Sequence, residues 1–307
     1  MGLNTISLTP ISLAPVTPDA VPVLRDFLPR WATGDANHSA AALVTRALEH
    51  ETHYAVCEGR LLIRWRPVPE APVMWMWPLG EAMTETLFMR LAADAVSRRE
   101  ALRFWGTVSS MVDVVRRDFP SRAVDVVSQE DWWDYLYERE AFVTLSGRAL
   151  HGKRNFVRRF YAAHPSARFV PMTAGREEAV RRFLDEWYRT RGELTAGLAA
   201  EQAAVDAALR HWDELDLTGG LLMEEDRVLG FTYGALVAPG MLAVHVEKAA
   251  GGVVGAYPAL SQAFARTLPE SVERLNREED LGLPGLRKAK SDWAPCAKNE
   301  KGWITVR

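Results

Sequence analysis

His245 and Glu247 are the residues of this 307-residue chain whose types and spacing point most directly to proton transfer. They lie two apart in VHVEKA, on a segment, Leu242–Lys248, that alternates as a strand does. A period of two puts Leu242, Val244 and Val246 on one face and Ala243, His245 and Glu247 on the other. An imidazole and a carboxylate on one face of an interior strand are costly to bury unless they are paired or used. Glu247 therefore reads as a general base toward an acceptor, with His245 as its partner. A buried polar pair without chemistry is the rival reading.

Groups suited to charged ligands surround that strand. Gly251-Gly252-Val253-Val254-Gly255 follows it and precedes a helix start. Glycines such as Gly252 and Gly255 there let backbone N–H groups face an anion, with the helix dipole assisting. A second strand, about Val272–Arg277, brings Asn276, Glu278, Glu279 and Asp280 to the same end of the sheet, followed by Arg287, Lys288 and Lys290. The carboxylates suit an ammonium group, and Lys288 and Lys290 suit phosphate; a mutually neutralised surface network is the alternative. From Gly147 to Phe160, five Arg or Lys occur within fourteen residues, Lys153 and Arg154 among them. This is either a solvated helix face or the local patch that a phosphate-rich substrate needs. No His joins the carboxylates at ligand spacing, so no metal is expected.

The elements that must position these residues form a repeat. Residues 54–80 and 221–247 lie over each other without a gap, matching Arg60 to Arg227 and Ala71-Pro72 to Ala238-Pro239. Each copy reads as strand, acidic turn, strand, Ala-Pro loop, strand and helix. The helices are Thr84–Arg98, with Leu87, Phe88, Leu91, Ala95 and Val96 on one face, and about Ala256–Thr267, with Leu260, Phe264 and Leu268. Further stripes occur at Val180, Phe183, Leu184 and Trp187, and at Val205, Ala208, Leu209 and Trp212. Two similar α/β units follow, hinged near Glu140–Arg159. The first copy has Pro78 and Gly80 opposite His245 and Glu247, so it is read as scaffold or substrate wall.

Composition sets the outer bounds. A net charge of −3 gives no global pull toward nucleic acid or anionic membrane. Cys57 and Cys296 lie far apart and form no metal or redox spacing, which fits a reducing cytoplasm. Met1–Leu13 has no basic segment followed by an apolar core, and Met1–Pro18 reads as an extended lead-in punctuated by prolines. No apolar run approaches the ~18 residues of a membrane span. Eleven tryptophans are many for this length and suit a sheet–helix core.

The order strand, glycine turn, helix, preceded by a hairpin, resembles the core of the GNAT acyltransferase fold. DYLYEREAFVTLSGRALHGKRNFVRRF (Asp134–Phe160), VHVEKA (Val244–Ala249), GAYPALSQAFA (Gly255–Ala265) and LNREEDLGLPGLRKAKSDWAP (Leu275–Pro295) together resemble the soluble branch of the phosphatidylglycerol lysyltransferase C-terminal domain family. The resemblance implies two tandem GNAT-like domains, 1–145 and 146–307, each a mixed sheet flanked by helices, with the working site in the second. It also implies kinship with transferases that move an amino acid from aminoacyl-tRNA onto a lipid or peptidoglycan precursor.

The expected activity is thus acyl-group transfer by direct attack, no Ser or Cys standing out as a nucleophile. Glu247 and His245 form the catalytic pair, and Asn276, Glu278, Asp280 and Tyr257 hold the substrate. Lys153, Arg154, Gly252, Gly255, Lys288 and Lys290 meet phosphates of the donor. That donor is aminoacyl-tRNA or, alternatively, a coenzyme A thioester, with no tightly bound cofactor. The acceptor is a small molecule, a peptide or a lipid headgroup. A non-catalytic ligand-binding or sensor protein on the same fold is the third reading.

Overall fold

The acidic turns of the repeat are built alike. Glu58 and Glu225 each hold a positive φ, 51° and 52°, closing hairpins between β2 (His53–Cys57) and β3 (Arg60–Trp65), and between β9 (Thr218–Glu224) and β10 (Arg227–Ala238). The computed structural model describes residues 11–31, 33–67, 70–190 and 195–307. Residues 1–10 of the proline-rich lead-in lie outside the described residues.

Before the first hairpin come β1 (Ala14–Pro15), α1 (Val21–Arg25) and α2 (Ala40–Thr45); after it come β4 (Met74–Met76), α3 (Glu85–Ser97), β5 (Arg103–Thr107), α4 (Val108–Asp118) and β6 (Val124–Ser128). The chain continues through β7 (Asp134–Glu138), α5 (Arg139–Thr144), α6 (His151–Ala163), β8 (Arg168–Pro171), α7 (Glu177–Arg189) and α8 (Ala196–Arg210) to the second hairpin. It ends with β11 (Met241–Ala249), α9 (Ala256–Thr267), β12 (Arg274–Asn276), α10 (Pro284–Ser291), β13 (Ala297–Asn299) and β14 (Lys301–Val306). Thr84 caps α3 by accepting the Leu87 N–H, and Leu87, Phe88, Leu91 and Ala95 are buried, but Val96, expected on that face, is exposed. The stretch expected as a hinge forms α5 and α6, both packed on α9.

Two seven-stranded sheets result, ordered β1-β2-β3-β4-β5-β14-β6 and β8-β9-β10-β11-β12-β7-β13. They correspond strand for strand, and their sixth strands are exchanged. The C-terminal strand β14 lies between β5 and β6, antiparallel to both. β7, encoded before the second repeat, pairs antiparallel with β12 and β13. Sheet membership therefore crosses the boundary expected at 145/146 in both directions. Helices α3 and α4 cover the outer face of the first sheet, with Leu87, Leu91, Phe104, Val115 and Ile304 in its core. On the second, Leu242, Val244, Phe264 and Leu275 form the core beside α5 and α9. The inner faces share a third core, in which Trp65, Met74 and Trp105 meet Phe231, Tyr233, Val246 and the buried sides of α7 and α8.

One expected alternation fails. Gly234 pairs with Val244 and Tyr233 with Val246, so His245 is an extra residue in β11. Such a bulge shifts the side chains that follow to the other face. Leu242 and Val244 therefore pack with Phe264, whereas Val246 joins Tyr233 and Trp187 in the shared core.

Where the exchanged strands cross, Lys301 is 1% exposed. Its Nζ lies 2.7 Å from Asp134 Oδ1, 3.0 Å from Glu279 Oε2 and 3.6 Å from Asp35 Oδ1. Burial opposes ionisation of Glu279, but Lys301, Lys290 and Arg46 pull its pKa down to about 2. Asp134 goes the other way: burial, with Asp35 and Glu279 nearby, pushes it up to about 7 against the pull of Lys301. A carboxyl with a raised folded-state pKa stabilises the fold fully below its unfolded value of about 3.9 and loses that contribution as pH rises through about 7. The Asp134→Asn variant should therefore be less stable than wild type at pH 4.5, with the deficit shrinking toward pH 8, in urea unfolding across that range. A deficit independent of pH would mean that Asp134 is ionised throughout.

Candidate active site

β11 and β12 run parallel and paired only from Met241 and Arg274 to Ala243 and Asn276. Beyond that point β12 ends while β11 continues, and the strands part. A cleft of about 610 Å3 opens there between the two halves of the molecule.

One wall is aromatic. Trp65 of β3 and Trp105 of β5 meet edge to face at 5.7 Å. Trp303 of β14 stacks on Trp105 at 6.4 Å and on Trp132 at 5.1 Å. His50 adds its ring against Trp65 at 5.2 Å. Its Nδ1 lies 2.9 Å from the Arg66 carbonyl, so Nδ1 carries the hydrogen of the neutral ring. Burial lowers the pKa of His50 and keeps it neutral.

The facing wall is ionic and comes mainly from β11 and the residues after β12. Glu247 Oε1 binds Arg277 Nη2 at 2.7 Å, and Glu247 Oε2 accepts from Ser261 Oγ at 2.8 Å. The Arg277 guanidinium is also 5.5 Å from the Phe142 ring and 5.6 Å from Trp293. Lys248 Nζ pairs with Glu201 at 2.9 Å and sits 4.3 Å over the Trp187 ring. His245 Nδ1 is 2.9 Å from Glu278 Oε1, and its Nε2 is 3.1 Å from Ser39 Oγ. Burial works against the Glu278 carboxylate, yet the His245 hydrogen bond and Arg46 hold its pKa low. Arg46 in turn keeps its charge against burial through Glu278, Glu279 and Glu49. The lining holds five glutamates, Glu49, Glu201, Glu247, Glu278 and Glu279, against five Arg or Lys, Arg46, Lys248, Arg277, Lys290 and Lys301. The cleft is thus polar but close to neutral overall.

Of the residues expected at the site, His245, Glu247, Glu278 and Lys290 line this cleft. His245 and Glu247 are not partners: the bulge turns His245 to Glu278 and Ser39, and leaves Glu247 with Arg277 and Ser261. Lys290 is held by the Arg277 carbonyl, and burial lowers its pKa. Among the described residues the others do not line the cleft. Asn276 is fully buried; its Nδ2 donates to Gly34 O and Asp134 Oδ2, and its Oδ1 accepts the Glu278 N–H at 2.8 Å. It positions Glu278, which holds a φ of 58°, a conformation that costs energy outside glycine. Asp280 is also buried, accepting from Arg287, Tyr135 and the Gly282 N–H. Neither is open to an ammonium group.

The expected phosphate ligands are mostly engaged elsewhere. Arg154 donates to the Leu145 and Gly147 carbonyls at the end of α5. Lys288 is exposed and pairs with Asp292 one helical turn on. Lys153 sits 5.2 Å from the Trp293 ring, its pKa lowered by burial. Gly255 is required by packing: at φ 85°, a Cβ there would lie 2.3 Å from the Phe156 carbonyl of α6. Gly252, at φ 77°, faces open space, and Tyr257 is partly exposed on α9. Arg46, Glu49, His50, Lys301 and the four tryptophans were missed. The tryptophan count was their only signal, since their convergence depends on the strand exchange.

Two matching sheets with exchanged sixth strands, and a cleft where the central strands part, define a tandem GNAT-like protein. The chain belongs to the family described as phosphatidylglycerol lysyltransferase, C-terminal, whose model matches residues 30–301. Its fold and family are those of acyltransferases. A conserved protein of unknown function from Bacteroides thetaiotaomicron VPI-5482 is similar at 27% identity and a TM-score of 0.90, over 97% of this chain and 100% of that one. L-PGS from Bacillus licheniformis is similar in fold, with 14% identity, a TM-score of 0.61 and coverage of 92% and 91%. So is the C-terminal domain of a putative lysylphosphatidylglycerol synthetase from Agrobacterium fabrum, with 13% identity, a TM-score of 0.60 and coverage of 94% and 92%. Among curated proteins, none matches this sequence. Among the described residues, no helix is long and apolar enough to cross a membrane.

The bulge that presents His245 depends on Gly234, where a Cβ would stand 2.0 Å from the Ala243 carbonyl. Gly234→Ala should lose more than about 2 kcal/mol of stability, measured by thermal or urea unfolding, because backbone rather than a flexible side chain must move. An unchanged melting temperature would mean that the bulge adapts to a side chain.

Proposed function

We propose that this protein is an aminoacyltransferase, moving an aminoacyl group from aminoacyl-tRNA to an amine or hydroxyl acceptor within the cleft. The observation that carries this reading is the cleft's composition, with four indoles facing an ionic wall of balanced charge. An aminoacyl ester presents an ammonium group beside its reactive carbonyl, which suits indole faces and carboxylates together. A coenzyme A thioester brings several phosphates, which a cleft of balanced charge receives poorly.

The donor's nucleic acid needs a separate, basic surface. On α6 and the turn before it, Arg148, Arg158 and Arg159 are exposed, and Phe156 is exposed between them. Basic side chains with an interleaved aromatic ring suit phosphates and an unpaired base. Inside the cleft, His245 is better placed than Glu247 to accept a proton. Glu278 is held ionised and so accepts the hydrogen on Nδ1, leaving the lone pair on Nε2. Ser39 Oγ meets that lone pair at 3.1 Å at rest, and it takes the acceptor's proton once the hydroxyl turns away. Both oxygens of Glu247 already accept strong bonds, so its role in this reading is to hold Arg277 at the cleft wall. The acceptor, whether small molecule, peptide or lipid headgroup, then attacks the ester carbonyl directly, and proximity supplies much of the rate.

Thermal stabilisation against charged tRNA, uncharged tRNA, acetyl-coenzyme A, coenzyme A and free amino acids tests the donor. Charged tRNA should raise the melting temperature, and its affinity should fall steeply with salt. Substituting Arg158 and Arg159 together by Ala should lower that salt slope by about two units. Stabilisation by coenzyme A alone would replace the donor with a thioester. No shift with any of these ligands would leave the non-catalytic binding protein as the better reading.

A further inference from the structure

Ser39 was not among the expected site residues, yet its hydroxyl is the group that His245 Nε2 meets, at 3.1 Å. Ser39 opens α2, and its Oγ accepts the Ala42 N–H at 2.9 Å. The hydrogens in this chain of contacts can be assigned. Glu278 is ionised and only accepts, so the tautomer of His245 that fits has its hydrogen on Nδ1 and its lone pair on Nε2. Ser39 has used a lone pair on Ala42, and its own hydrogen is directed at Nε2. Hydroxyl, imidazole and carboxylate stand in the order that activates a serine for attack on a carbonyl.

Helix capping alone accounts for the Ala42 bond. It does not account for a largely buried His–Glu pair aimed at the capping hydroxyl, with the His presented by a bulge and the Glu held at positive φ. A second observation concerns space. Ser39, buried at 1% exposure, lines its own cavity of about 200 Å3, apart from the main cleft, with Leu28, Pro29, Leu215, Ala235 and Leu236 among its walls. The exposed ion pair of Arg25 and Asp216 and the side of Thr218 also line it. That volume and its apolar walls suit a short aliphatic chain, while His245 and Glu278 face the larger cleft.

We propose that Ser39, His245 and Glu278 form a nucleophilic relay that gives this protein a second activity, the hydrolysis of esters of short aliphatic acids through an acyl-Ser39 intermediate. Ser39 Oγ bonds to the ester carbonyl carbon as its proton moves to His245 Nε2. The bond from that carbon to the leaving oxygen breaks, and His245 returns the proton to the departing alcohol. Water then attacks acyl-Ser39, giving a proton to His245, which passes it to the released Ser39 Oγ. The sum is ester plus water giving acid plus alcohol, with no further reactant. This activity shares His245 with the proposed aminoacyl transfer but does not depend on a tRNA donor.

Diisopropyl fluorophosphate and p-nitrophenyl butyrate are the probes. Intact-mass and peptide mapping should find one diisopropylphosphoryl group, on Ser39, and wild type should hydrolyse the butyrate ester at least about 100-fold faster than Ser39→Asn. Asparagine keeps a capping oxygen but has no hydroxyl, and its melting temperature reports whether the fold is retained. An unmodified Ser39 in wild type overturns the proposal without reference to any variant. So does a folded Ser39→Asn protein that hydrolyses the ester at the wild-type rate. Aminoacyl transfer assayed on the same preparations is read separately, so its loss or survival bears on the transferase reading alone.

Discussion

The buried Lys301 ammonium is the constraint on which the remaining geometry rests. Removing a cation from water costs several kcal/mol unless close carboxylates and hydrogen bonds replace the solvent. Here the carboxylates come from three separate segments: Asp35 before α2, Asp134 at the start of β7 and Glu279 just after β12. Lys301 itself begins β14, and Asp134 begins the strand exchanged in the other direction. The four can meet only when both exchanges have been made. A chain that kept each half to itself would separate Asp35 and Asp134 from the Lys301 ammonium, so the cluster favours the exchanged topology over its unexchanged alternative.

From that cluster the order passes outward through hydrogen bonds. Asp35 accepts from Trp105 Nε1 at 3.1 Å, fixing the central indole of the aromatic wall. Asp134 accepts from Asn276 Nδ2 at 2.9 Å, and Asn276 receives the Glu278 N–H. Glu278 then orients His245, and His245 meets Ser39. Both walls of the cleft are thereby tied to one ion cluster. A connected polar network of this kind confers rigidity, which a site for group transfer needs, since misplacement by about 1 Å is costly.

The repeat, the two α/β units and the helices Thr84–Arg98 and Ala256–Thr267 were legible because hydrophobic periodicity and turn chemistry are local properties. The family was legible from four ordered motifs. Side-chain roles were less so, for two reasons that particular residues illustrate. An inserted bulge residue has no signature in alternation, so Val246 was placed on the wrong face and His245 was given the wrong partner. Residues such as Asn276, Asp280 and Arg154 are polar in a polar stretch, and only tertiary contacts distinguish a ligand-facing group from one that satisfies a buried backbone. Exchanged strands add a third difficulty. Trp303 and Lys301 lie at the end of the second half in sequence and belong to the first sheet in space.

The decay of the first repeat has a different meaning in that light. Pro78 and Gly80 replace the polar pair that β11 carries, so the first copy has no equivalent of His245 and Glu247. Its sheet instead presents Trp65 and Trp105 to the cleft, and the segment before it contributes Arg46, Glu49 and His50. Two identical copies would set two ionic walls against each other, with the desolvation cost of both. Making one wall largely aromatic reduces that cost and provides rings for an organic cation. The halves thus diverged toward complementary surfaces of one cleft, and neither half alone forms it.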